Sequence, residues 1–380
     1  MNYYLIPKNN FNIEFNIKLT NTPIQPAISY SLIFYLNDAY SQLINLNNCS
    51  NDYDDEITIE YINKIVNPFE FIHTNVPGSI ISVSKVKPDA HIFFELMELF
   101  QLFSINEILS FKHKINIAHF THNHTSTNYL LNMLREDNDD LIICEDFDFN
   151  TLFNKFIINT TERERLDLII CEFKENDYNN IDKYIQNIVL ILVLIVKNQA
   201  NQGTCVIKLN NIFYKPIIDV LFILSSFYDK MYLIKPSISN ITTGERYVIC
   251  KSFNSNILQQ SNIQKNIDNN VIPIIIDAFT NNKNIKSLLQ NEISYYFLNK
   301  LEESNAVIGQ QQLESYDQII NIFKNKNRDE KIENLKRNHI QKCIQWCEKN
   351  QLPHNKFIDK INIFLLPKKK ENEFEESVNI

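Results

Sequence analysis

The chain has 380 residues and a formal net charge of −8, long enough for one large α/β core with appendages or for two modest domains. The acidic balance excludes a protein that coats nucleic acid non-specifically, while leaving room for a local basic groove. Glycine is scarce, 4 residues in all against an ordinary share of roughly 7%, so each glycine-dependent turn must be sought individually. Seven cysteines, with no paired zinc spacing, indicate a reducing, intracellular compartment. The segment MNYYLIPKNN lacks the pattern of a signal peptide. The apolar run Ile188 to Val196 falls well short of the roughly 20 residues of a membrane span and reads as a buried helix.

Taken in order, Tyr3 to Ile6 and Phe15 to Leu19 are strand-like, Tyr30 to Leu46 is helical, and residues 51–56 form an acidic loop. Ala90 to Phe103 is a helix containing Phe93, Phe94 and Glu95. Lys114 to Phe120 is an apolar strand, and Thr121 to Ser126 leads into a helix over Thr127 to Leu134, with Thr125 or Ser126 as its cap. Leu141 to Cys144, Phe153 to Ile158 and Leu166 to Cys171 read as further strands, and Lys183 to Lys197 as a helix. Thr204 to Leu209 is a buried strand presenting Lys208 near its carboxyl end, where α/β sheets place ligands. A helix over Ile212 to Phe227, a strand over Met231 to Ile234, the break Lys235-Pro236, the turn Gly244-Glu245 and a strand over Tyr247 to Cys250 follow. Beyond Asn256 the texture changes. Ile274 to Ile276 would add one strand, and Ser287 to Leu301, Glu314 to Phe323 and Arg328 to Trp346 read as polar helices. The alternation predicts a doubly wound, mainly parallel seven-stranded sheet with a terminal hairpin. It divides the chain into an extension (1–64), an α/β domain (65–255), a helical region (256–366) and a disordered tail (367–380).

The segments "VIKL" and "KPSISNITTGERYVIC", in the order strand, helix, strand, hairpin, resemble the carboxyl-terminal half of the FtsJ-like ribose 2′-O-methyltransferases, closest to the cap-specific mRNA branch. The resemblance covers roughly residues 65 to 253. It implies a class I S-adenosylmethionine-dependent methyltransferase fold and a Lys-Asp-Lys-Glu catalytic tetrad. Lys208 and Glu245 match the last two members. Glu172 follows a strand where the family has aspartate, and Glu95 stands in the Phe-Phe helix where the family has lysine. The flanks are similar to cap-type members from large cytoplasmic DNA viruses, whose AT-rich genomes also account for the wealth of Asn, Ile and Lys.

The implied cofactor, S-adenosyl-L-methionine, would meet Thr121, Asn123 and Thr125 in the first strand-to-helix turn. That turn has no glycine where backbone must approach a ligand closely. Glu145 and Asp146 end the second strand about 24 residues after Thr121, near the interval at which an acid meets a ribose hydroxyl. A metal among His119, His122 and His124 is not expected, since no acid or cysteine stands at matched spacing. Methylating a ribose hydroxyl asks for a lysine whose pKa is drawn towards neutrality by burial or a second cation. One lysine among Glu95, Glu172 and Glu245 would instead stay protonated. The expectation is therefore an impaired homologue that binds capped mRNA or other RNA, or serves a partner protein of the mRNA-processing machinery, in the cytoplasm or a virus factory. Two alternatives stay open: an active RNA 2′-O-methyltransferase, and a structural virion protein that keeps only the fold. The same residues also suit a surface lysine and a turn glutamate on any α/β fold.

Overall fold

The computed structural model describes residues 3–10, 13–49, 58–120, 124–135, 140–144, 165–173, 180–260, 263–290, 292–325 and 329–357. Expectations for residues 51–56, 153–158 and 367–380 lie outside these. The chain divides into two compact units, one built from Met1–Asn51 and Pro88–Gln318, the other from Asp52–Lys87 and Ile319–Ile380.

The first unit contains a seven-stranded sheet made of β1 (Tyr3–Ile6), β3 (Asn116–Phe120), β4 (Asp140–Cys144), β5 (Leu166–Cys171), β6 (Gln199–Leu209), β7 (Tyr228–Ile234) and β8 (Arg246–Phe253). Its order is β1-β7-β8-β6-β5-β3-β4. The pairings β4-β3, β3-β5 and β5-β6 are parallel, whereas β8 runs antiparallel to both β6 and β7, and β1 antiparallel to β7. The fold is thus mixed α/β with a mostly parallel central sheet. Every residue of β5, Leu-Asp-Leu-Ile-Ile-Cys, is buried, the unbroken burial that a strand covered on both faces requires. The seventh described strand is β1, which joins the sheet's far edge.

Two helices explain one face of the sheet. In α6 (Ile181–Asn198) the side chain of Asn180 accepts from the backbone N–H of Lys183 at 3.1 Å, capping the first turn. The run Ile188 to Val196 inside it is wholly buried. Helix α7 (Lys215–Phe227) starts with Pro216 in its first turn, where a missing N–H costs nothing. The core lies around these helices and takes side chains from every third of the unit, including Ala118, Cys171, Cys205, Ile207 and Val248. On the other face, α3 (Ile92–Leu102) buries nine consecutive residues, Ile92 to Phe100, and packs with α5 (His124–Leu134). Helix α1 (Tyr30–Cys49) lies near the sequence position expected for it.

Three expectations beyond Asn256 are corrected. Ile274 to Ile276 is helical, inside α8 (Ile272–Thr280), which has Pro273 in its first turn; three β-branched residues carry no period of their own, and the proline starts a helix here. Ser287 to Leu289 is strand, the end of β9 (Asn284–Leu289), which pairs antiparallel with β2 (Phe15–Thr20) as a separate two-stranded sheet. Tyr295 to Lys324 then forms one continuous 30-residue helix, α9, in place of two shorter ones.

In the second unit, α2 (Ile59–Val66) is capped by Thr58, whose side chain accepts from the N–H of Tyr61. The Lys336 ammonium of α10 (Asp329–Lys349) lies 5.6 Å from the ring centroid of Tyr61. Cys343 and Cys347 are both buried, and the thiol of Cys343 meets the carbonyl of Pro68 at 3.6 Å. Among the described residues no helix is long and apolar enough to cross a membrane.

Candidate functional site

The carboxyl ends of β3, β5 and β6 lie side by side, and the antiparallel β8 begins at the same edge. Because β4 flanks β3 on one side and β5 on the other, the direction of strand addition reverses between β3 and β5, the position at which open α/β sheets hold ligands.

Lys208 is the penultimate residue of β6 and is in register with Tyr247 of β8. Alternation along the strands sends both to the face covered by α3. The Lys208 Nζ stands 3.1 Å from Oε2 of Glu95 and 3.3 Å from Oε2 of Glu245. Tyr247 donates its phenolic O–H to the same Glu95 oxygen at 2.6 Å, and the Lys208 ammonium lies 5.7 Å from the Tyr247 ring centroid. Glu172 follows β5 directly: its N–H donates to the carbonyl of Phe120 at 2.8 Å, and its Oε1 is 2.8 Å from Nε2 of His119. An ionised carboxylate only accepts, which assigns the shared proton to Nε2. Glu95, Lys208 and Glu245, 150 residues apart at the extremes, thus form one contact group, and Glu172 acts on Lys208 through its charge.

Burial alone would lower the pKa of Lys208, but Glu95, Glu245 and Glu172 outweigh it and carry the pKa above the ordinary lysine value. Burial alone would raise the Glu95 carboxyl; Lys208 foremost, then His91 and the Tyr247 hydroxyl, reverse that and hold it at about 2. The pair is therefore a buried ammonium and a buried carboxylate. A lysine so held is a strong hydrogen-bond donor and a poor base.

Neighbouring residues fix this arrangement. Glu98, one turn along α3 on the same side, accepts from the N–H and hydroxyl of Ser237 at 2.9 and 2.8 Å and from the N–H of Ile238 at 3.3 Å. Lys235 donates to the carbonyls of Thr243 and Glu245 at 2.8 and 3.2 Å, tying down the turn that carries Glu245. Burial, against the pull of Glu245, lowers the Lys235 pKa to about 7. Sequence patterning reads Lys235-Pro236 only as a strand break, and nothing in the spacing flags Tyr247 as a partner of Glu95. The i, i+3 relation of Glu95 and Glu98 was the available signal that both share a helix face.

Of the residues expected around a cofactor, Thr121, Asn123, Glu145 and Asp146 lie outside the described residues, and Thr125 is exposed in the first turn of α5. Ser126 does not cap that helix; it sits inside the first turn, and its hydroxyl accepts from the N–H of Ala90 at 2.8 Å. His119 lies in β3, within the expected strand, and is buried and paired with Glu172. Among the described residues no three His, Cys, Asp or Glu side chains are grouped to hold a metal ion.

No family model and no curated protein matches the chain. Among solved structures it is similar to a protein of Plasmodium falciparum provisionally described as a ribosomal RNA methyltransferase, at 13% identity and a TM-score of 0.33, over 43% of this chain and 97% of that one. Likeness at that level establishes neither family nor activity.

Proposed function

We propose that this chain is a class I methyltransferase-like protein of the RNA 2′-O type whose lysine centre has become an ion-pair hub, and that it serves mRNA cap processing by holding RNA without methylating it. One observation carries the reading: the Lys208 ammonium is clamped between Glu95 and Glu245, with Glu172 adding to the field that keeps it protonated. A catalytic lysine would need a cation where Glu95 stands. The mostly parallel sheet ending in an antiparallel pair, β7 and β8, supports the fold assignment, since that is the sheet the sequence resemblance implies.

The test is transfer of a tritiated methyl group from S-adenosylmethionine to capped RNA, with RNA binding followed in parallel by fluorescence anisotropy. The expected result is capped-RNA binding with no transfer above blank. Turnover that vanishes in Lys208→Ala overturns the proposal, and absence of RNA binding points to a structural protein.

A second reading, an active enzyme, draws on Lys235, an amine buried beside the Glu245 turn and titrating near neutrality. It predicts calorimetric binding of S-adenosylhomocysteine, and turnover that falls in Lys235→Ala.

A further inference from the structure

Arg246 follows Glu245 and precedes Tyr247, so it leaves β8 on the face opposite Lys208; its register partner is Leu209. At 2% exposure it is the largest fully buried side chain among the described residues. Guanidinium groups are almost never buried without a partner, because desolvating the charge costs several kcal/mol, roughly, unless a counter-charge recovers it. Among the described residues Arg246 has no such counter-charge. Its Nε donates to the carbonyl of Gly244 at 3.0 Å and its Nη1 to Oδ1 of Asn305 at 2.7 Å. Both acceptors are neutral, and among the described residues Nη2 has no hydrogen-bond partner and no carboxylate forms an ion pair with Arg246. The ionisable groups felt by this guanidinium are the phenols of Tyr184 and Tyr4, and the nearby Lys235 adds positive charge.

The guanidinium lines a cavity of about 400 Å³ between the end of the sheet and helices α1 and α9. Its other walls combine amides and phenols, among them Tyr40 from α1 and Gln312 and Tyr316 from α9, with the apolar side chains of Leu32, Leu36 and Phe213. Tyr40 and Tyr316 stand with ring centroids 6.3 Å apart and planes inclined at 42°. The cavity therefore offers a buried positive charge without a counter-charge among the described residues at one point, and aromatic faces at its wall. A guanidinium with free N–H groups recognises a phosphate or carboxylate, and a volume of this order suits a small organic ligand.

We infer that this cavity binds a nucleotide phosphate, with Arg246 pairing the phosphate and the tyrosines flanking the base. The phosphate belongs either to a free mononucleotide or to the 5′-phosphorylated end of an oligonucleotide. The site lies on the other face of the sheet from Lys208 and does not depend on the reading of that residue.

The informative variant is Asn305→Asp, which places a carboxylate where Oδ1 already touches Nη1 and supplies the missing counter-charge from within the chain. Calorimetry on the full chain with GMP, AMP, inorganic phosphate, and a trinucleotide with and without a 5′-phosphate gives the affinities; thermal melting gives the stability. The wild-type chain is expected to bind GMP or AMP, or the 5′-phosphorylated trinucleotide, and to ignore the 5′-hydroxyl form. Binding of free mononucleotides assigns the site to a soluble ligand, and binding of the phosphorylated trinucleotide alone assigns it to an RNA end. Asn305→Asp is expected to weaken that binding roughly tenfold or more and to melt above the wild type without ligand. Arg246→Gln should abolish binding, but its burial endangers folding, which is why the aspartate variant decides. Failure of every phosphate-bearing probe to bind at millimolar concentration overturns the proposal. So does equal binding by Asn305→Asp, or inorganic phosphate binding as tightly as any nucleotide.

Discussion

Tyr247 donates its hydroxyl at 2.6 Å to the one oxygen of Glu95 that also receives Lys208. A phenol and an ammonium thus divide a single carboxylate oxygen inside a protein core, and removing either partner changes the ionisation of the group they share.

Tyr247→Phe deletes only the phenolic oxygen. The lost hydrogen bond is to a charged acceptor, so the expected cost is roughly 1.5–3 kcal/mol, read as a lower urea midpoint at unchanged slope. A midpoint equal to the wild type would show that the bond contributes nothing.

Acid sensitivity follows from Glu95. Its folded pKa of about 2 lies below the ordinary carboxyl value of 4.5, so the ionised form contributes stability that is complete above about pH 4.5 and is lost as pH falls towards 2. Urea titrations across that interval should show a declining stability in the wild type and a flatter profile in Glu95→Gln. Parallel profiles would assign the acid limb to other carboxylates.

Lys208→Met keeps an unbranched side chain one atom shorter and removes its charge. Glu95, 3% exposed, then loses its cation, and breaking a buried pair from one side costs on the order of 3–5 kcal/mol. Protonating Glu95 relieves part of that cost, so the deficit relative to wild type should shrink between pH 7 and pH 5. A deficit independent of pH would mean that packing, and not charge, is what the substitution removes.

Gly203 sits within β6, where a Cβ would come 2.1 Å from Nε2 of Gln199 and 2.9 Å from the carbonyl of Ala200. That amide nitrogen donates to the carbonyl of Leu166 at 2.8 Å, and the Gln199 Oε1 accepts from Tyr228 at 3.0 Å. Gly203→Ala must displace a backbone carbonyl or this buried network, and a loss of roughly 1–3 kcal/mol is expected, measurable by thermal melting. A neutral substitution would show that the backbone around Gly203 and the Gln199 side chain relax freely.

The sheet was largely legible because its strands are short β-branched runs bounded by turn residues. Leu166–Cys171 matches its predicted bounds residue for residue. Strand ends were less so. β6 begins at Gln199 and not Thr204: Gln199 stands opposite Leu166 and its side-chain amide donates to the Leu166 carbonyl, a polar contact that no hydrophobic pattern reveals. Ile274 to Ile276 failed for the opposite reason, an apolar run whose helical state is set by its neighbours. At the site, the order of lysine, Lys-Pro turn and Gly-Glu pair pointed to Lys208 and Glu245, while Glu95 was reached only through the Phe-Phe helix. The hydrogen bond of Tyr247, the turn held by Lys235 and the unpaired charge of Arg246 depend on how strands and helices from distant parts of the chain meet. Alternation places Lys208 and Arg246 on opposite faces, but what awaits each there is a property of the assembled fold.

The pairing of β1 with β7, Tyr3 opposite Ile234 and Ile6 opposite Met231, sets an order on biosynthesis. Strand β1 leaves the ribosome long before its partner is made, an interval on the order of tens of seconds at ordinary elongation rates. β2 waits longer still for β9. Throughout that time Ile6, only 3% exposed in the completed fold, has no sheet to join. Closing the sheet's edge is consequently a late step in folding, and the nascent amino-terminal segment is open to chaperones until it occurs.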